Sequence, residues 1–151
     1  MPDSNIPQTV IAFDYGLRQI GVAHGQTLTC SAEGISIIKA SDGVPNWDQV
    51  EKLLQEWRPN LLLVGLPINM DGSESELSRL ARKFARRLNG RFNLDVLMVD
   101  ERLTSQDAKS SLRDASIEGE SGRVDLTKID HLAAALILQS WLDQPELGQQ
   151  P

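Results

Sequence analysis

The chain has 151 residues, 40% hydrophobic and 24% charged, enough for one domain with its own apolar core. A single cysteine, Cys30, excludes an internal disulfide and a cysteine-based metal site. The net charge of −6 argues against indiscriminate nucleic-acid binding, which depends on phosphate neutralisation. The amino terminus lacks the basic patch and apolar stretch of a signal peptide, and the apolar run 132–138 is too short to span a bilayer. A reducing cytoplasm is the expected compartment, with no membrane partner.

In chain order, a flexible leader over 1–8 precedes a mostly buried strand, Thr9–Asp14. Tyr15-Gly16-Leu17-Arg18 forms a turn, Gln19–Gln26 a second strand, and a third follows within 29–39, ending before Ser41-Asp42-Gly43. The short connections predict an antiparallel meander. Asn46 caps a helix through Trp57, stopped by Arg58-Pro59-Asn60. The continuous apolar run Leu61–Leu66 predicts a strand covered on both faces. After an Asp71-Gly72 turn, Ser73 and Glu76 form a capping box for a helix to about Leu88, ended by Asn89-Gly90. Residues 94–100 form another buried strand, 104–115 a short helix capped by Thr104, 118–124 a glycine-containing loop, and 127–142 the last helix. The domain is thus 9–143, with 144–151 a flexible tail. The element order predicts an α/β fold: a mixed sheet of three antiparallel strands then two parallel strands, flanked by helices.

Three acids stand at element ends: Asp14 closes the first strand, Glu101 follows the strand ending at Asp100, and Asp130 lies in the first turn of the last helix. Each has an ordinary structural reading, respectively an Asx-turn, a surface pair with Arg102, and a helix cap. Their concurrence carries the functional reading, because ligands of an α/β sheet collect at the carboxyl ends of its parallel strands. Clustered carboxylates repel unless a cation or protons neutralise them, and Mg²⁺ or Mn²⁺ suits oxygen donors. Such ions activate water and stabilise the departing oxygen of a phosphodiester. His24 and His131 are too distant in sequence to form a local metal motif.

The helix over 73–88 concentrates positive charge. Arg79, Arg82, Lys83, Arg86 and Arg87 fall on one face, opposite Leu77, Leu80, Ala81, Phe84, Ala85 and Leu88. These cations, with Arg18 and Arg102 near the proposed acids, are expected to hold substrate phosphates. A solvated face is the ordinary meaning of such charge, but between Leu77 and Leu94 there is no acid, in an acidic protein. The loop 67–72 is expected to line the cleft. With 5% aromatic residues the chain has little for a base-stacking platform, which favours recognition of phosphate and shape.

The blocks Asp14-Tyr15-Gly16-Leu17-Arg18-Gln19-Ile20-Gly21-Val22-Ala23, Val64-Gly65-Leu66-Pro67 with Asn69, Asp71-Gly72-Ser73 and Phe84, Asp100-Glu101-Arg102-Leu103-Thr104, and Ile129-Asp130 with Ala133-Ala134-Ala135 and Leu138 occur in that order. Together they resemble the YqgF family, also called RuvX or RuvC-like Holliday junction resolvases, over nearly the whole chain. The resemblance implies a ribonuclease H-like fold and an acidic site of Asp14, Glu101 and Asp130, binding Mg²⁺ or Mn²⁺. It also implies trimming of the 5′ end of precursor 16S rRNA in ribosome biogenesis, with RNA and ribosomal particles as partners. Related junction resolvases carry a glutamate after the fourth strand, where this chain has Gly65-Leu66-Pro67. Glu101, one strand later, takes its place, which moves the expectation from DNA junctions to RNA. The alternatives are a resolvase acting on structured DNA and a non-catalytic nucleic-acid-binding factor in transcription. The oligomeric expectation is a monomer or weak homodimer.

Overall fold

The computed structural model describes residues 8–101 and 126–151, the last helix by its backbone alone as far as residue 132. Its elements are β1 (Thr9–Asp14), β2 (Gln19–Gln26), β3 (Ser31–Ser41), β4 (Val44–Pro45), α1 (Trp47–Trp57), β5 (Leu61–Leu66), α2 (Glu76–Phe92), β6 (Asp95–Asp100) and α3 (Leu126–Asp143). One six-stranded sheet runs in the order β4-β3-β2-β1-β5-β6. β1 to β4 pair antiparallel in sequence, whereas β5 lies parallel to β1 and β6 parallel to β5. The mixed sheet expected from the element order is therefore present. The helix expected over 104–115, the 118–124 loop and Arg102 lie outside the described residues.

Several boundaries differ from the sequence reading, each for a local reason. Asp42 and Gly43 both adopt positive φ, at 50° and 85°, in a tight turn that pairs Ser41 with Val44. Two such residues favour a hairpin over a strand end, so β3 continues to Ser41 and the short β4 is added. Ser73 does not cap α2, because its backbone N–H and hydroxyl both donate to Asp71. Ser75 is the cap instead, in a reciprocal box with Ser78. The helix also passes through Asn89-Gly90, ending where Asn93 turns left-handed at φ 55°. The ring contact between Phe92 and Trp47, 6.2 Å between centroids, belongs to this extra turn. A glycine costs a helix only about 1 kcal/mol, which such packing can offset. The tail, expected to fray, folds back: Gln149 exchanges two backbone hydrogen bonds with Met98, at 2.7 and 2.8 Å. It thereby covers part of the otherwise open edge of β6.

Strand pleating divides the core in two. On one face Ile11, Phe13, Leu62, Val64, Val96 and Met98 pack with α1 and α2, including Leu53, Phe84 and Leu88. On the other, Val10, Ala12, Leu61, Leu63 and Val99 pack beneath Ala134, Ile137, Leu138 and Trp141 of α3. Because side chains alternate along a strand, this partition fixes which face each residue at the carboxyl end of the sheet occupies.

Candidate active site

At the carboxyl ends of the three parallel strands the alternation places Asp14 on the α3 face, following Val10 and Ala12. Gly65 follows Leu61 and Leu63 onto that face, and Glu101 follows Val99 just past the end of β6. The acids stand on strands separated by β5, and Glu101 reaches back across it. Its Oε1 lies 2.6 Å from the point a Cβ on Gly65 would occupy. There it meets Asp14: the two carboxyl groups share a hydrogen bond, and burial followed by the Asp14 charge pushes Glu101 up to about 8. A carboxyl group so displaced holds a proton at neutral pH and donates it to the Asp14 carboxylate. The buried Asp100, on the opposite face by alternation, adds a smaller push in the same direction.

α3 crosses over this pair. Ile137 Cδ1 sits 2.5 Å from the same virtual Cβ of Gly65, so the helix closes directly over the glycine. Position 130 is one turn before the buried Ala134 and nearly two before Ile137, roughly 10 Å from it along the axis. The side chains of Lys128, Asp130 and His131 lie outside the described residues. Among the described residues, no three acids, histidines or cysteines form a metal-binding group. Among the described residues, the structure brings Asp14 and Glu101 together.

The expected cations sit elsewhere. α2 packs on the face opposite the acid pair. Arg79 pairs with Glu76, and Arg82 with Glu74 at 2.7 and 3.0 Å. Both glutamates are held below the usual carboxylate range by these hydrogen bonds. Arg91 stacks over Trp47 at 4.2 Å. Lys83 and Arg87 flank a cavity of about 90 Å³ beside Tyr15, whose hydroxyl donates to the Gly43 carbonyl at 2.5 Å. Arg86 lines a different cavity, of about 400 Å³, with Asp95, Leu97 and Gln150 at the amino ends of β5 and β6. The single basic face read from the sequence is thus divided by local ion pairs and by the fold. Arg18 is exposed in the β1–β2 turn. The loop after β5 leaves from the carboxyl edge and closes through an Ile68–Glu74 bridge, with Met70 exposed.

Two participants escaped the sequence reading, Gly65 and Asp100. The signal for Gly65 was available: a glycine inside an otherwise apolar central strand marks a close approach by another group.

Four antiparallel strands, the fourth only Val44–Pro45, extended by two parallel ones and carrying acids at the carboxyl edge, define a ribonuclease H-like fold. Solved structures share this fold: RuvC of T. thermophilus in complex with a Holliday junction substrate aligns with a TM-score of 0.54 and 15% identity, covering 93% of this chain and 98% of that one. The yeast mitochondrial Holliday junction resolvase aligns at 0.56 and 13% identity, covering 88% and 77%. Residues 8–144 match the RuvX family, described as Holliday junction resolvase, and the chain belongs to that family. It is 50% identical over 137 residues to a protein of Glaesserella parasuis serovar 5, covering 91% of this chain and 97% of that one. It is 51% identical over 135 residues to one of Haemophilus ducreyi, covering 89% and 96%. Both relatives bear the name "Putative pre-16S rRNA nuclease". No helix among the described residues is long and apolar enough to cross a membrane.

Proposed function

We propose that this nuclease processes the 5′ end of precursor 16S rRNA in the bacterial cytoplasm, using Mg²⁺ or Mn²⁺ held by Asp14, Glu101 and Asp130. The observation that carries the reading is the Asp14–Glu101 pair: two carboxyl groups held in contact, one of them with its anion strongly disfavoured. An all-oxygen donor set that needs neutralising fits a hard divalent cation. When bound, such an ion supplies positive charge and Lewis acidity to the phosphate under attack. In its absence Glu101 holds a proton against Asp14, so loading the site requires Glu101 to release that proton. Ile137 of α3 packs beside the Glu101 carboxyl group over Gly65, and this partial burial strengthens electrostatic interactions within the pair.

RNA is favoured over DNA junctions by the near full-length relatives at about 50% identity, whose name specifies the rRNA precursor. The test compares wild type with Asp14→Asn on a precursor 16S fragment in Mn²⁺, with a cruciform DNA at equal protein concentration. Wild type should cleave the RNA, and Asp14→Asn should fold and bind RNA without cleaving. Undiminished cleavage by the variant, or cleavage by wild type in excess EDTA, refutes the metal-site reading. Preferential cutting of the cruciform refutes the RNA assignment.

A further inference from the structure

Glu101 and Asp14 stand on strands that are not neighbours, and β5 runs between them. A side chain crossing a strand on its packed face meets whatever projects from that strand. At the crossing point β5 carries Gly65, with Glu101 Oε1 2.6 Å and its carboxyl carbon 3.3 Å from where a Cβ would stand. Ordinary contacts of a Cβ begin at 3.4 Å, so even a methyl group would drive the oxygen back by about 0.8 Å. Gly65 is not needed here for backbone conformation: it is a β-strand residue, and the glycines with positive φ are Gly43 and Gly72 among the described residues. Ile137 Cδ1, at 2.5 Å, competes for the same space, but it is the end of a flexible side chain.

We propose that Gly65 is a positioning residue: its missing side chain is the passage through which Glu101 reaches Asp14, and any larger residue there uncouples the two acids. The inference rests on the reading of Asp14 and Glu101 as the active pair. Displacing a reacting group by about 1 Å can cost roughly 100-fold in rate.

Because Gly65→Ala also meets Ile137, the informative protein is Gly65→Ala/Ile137→Val, which removes Cδ1 and leaves the conflict with Glu101 alone. Ile137→Val is its control. Two measurements apply: Mn²⁺ affinity by calorimetry without RNA, and single-turnover cleavage of the precursor fragment at saturating RNA. The double variant should lose about 100-fold in cleavage rate, bind Mn²⁺ at least about tenfold more weakly, and keep wild-type RNA affinity. If it matches the control in both Mn²⁺ affinity and cleavage rate, Gly65 does not position Glu101. Should wild type itself neither bind Mn²⁺ nor cleave, the active-site reading fails, while the melting of Gly65→Ala with and without the Glu101 side chain still decides the Gly65–Glu101 geometry. To guard against misfolding, Gly65→Ala is also made in a Glu101→Ala background. Its melting penalty should shrink there, because the obstructing carboxyl group is gone; an equal penalty in both backgrounds overturns the inference.

Discussion

The protonated state of Glu101 ties the stability of the metal-free protein to pH, and Glu101→Gln isolates that link. The folded protein holds the Glu101 proton up to about 8, whereas a free glutamate releases it near 4.5. Between these values the folded state binds a proton that the unfolded chain does not, so stability falls as pH rises. The contribution is fully present below 4.5 and lost once pH passes about 8. A displacement from 4.5 to about 8 is worth about 5 kcal/mol at the limit. Glu101 is only partly buried, and water screening reduces this to roughly 2 kcal/mol. For a domain of this size that is a loss of roughly 5–8 °C in Tm between pH 5 and pH 9. Glutamine keeps the shape and a donor for Asp14 but has no proton to lose, so the variant should lack this component and melt higher than wild type at pH 9. Melting curves in EDTA across this range, read as the difference between the two proteins, cancel the other titrating groups. Parallel pH dependence in both refutes the shared-proton account. Added Mn²⁺ should stabilise wild type more at pH 8.5 than at pH 5.5, because protons compete for the same oxygens.

Arg58 ends α1 in the left-handed region at φ 47°. Arg58→Gly removes a backbone cost of about 1–2 kcal/mol, offset in part by the greater freedom of an unfolded glycine. Tm should therefore rise by a few degrees, and a fall would show that the arginine side chain contributes more than its backbone costs. Phe84 holds the rings of Phe13, Tyr15 and Trp47 within 5.3–5.9 Å of its own centroid. Phe84→Ala should cost about 3–5 kcal/mol in urea unfolding, and a loss below about 1 kcal/mol would mean the cluster repacks. Lys83 and Arg87 lie on the face away from the acid pair, beyond the ion pairs that engage Arg79 and Arg82. Lys83→Ala and Arg87→Ala should each raise KM, leave kcat unchanged and lower the salt slope of RNA binding by about 1. Arg79→Ala and Arg82→Ala should have smaller effects, and the reverse ranking would refute the neutralisation argument.

What could be read in advance was periodic or terminal. The all-apolar Leu61–Leu66 announced a strand covered on both faces, and every one of its residues is buried. Asn46 announced its cap, and its side chain accepts from the Gln49 N–H at 3.2 Å. Where two local signals competed, the sequence could not rank them. Ser73 and Ser75 are both plausible caps, and the outcome turned on the Asp71 carboxylate claiming Ser73 first. The basic face of α2 was a correct reading of helical angle, but angle alone does not show which cations a neighbouring glutamate neutralises. Nor does it show that the helix lies across the sheet from the acids.

The acid pair itself exposes a different limit. Strand ends can be recognised from sequence, which singles out Asp14 and Glu101, but their union depends on strand order and on an absence. Inserting β5 between β1 and β6 places an obstacle between the two carboxylates, and only a residue without a side chain at the crossing removes it. Gly65 carries no reactive group, so its part in the site lies wholly in the space it leaves. The displacement of the second acid to the outer strand and the glycine on the inner one are thus two halves of one arrangement. An acid following β6 can serve Asp14 only if β5 leaves the way open, and a pairing restored at one position should fail unless the other permits it.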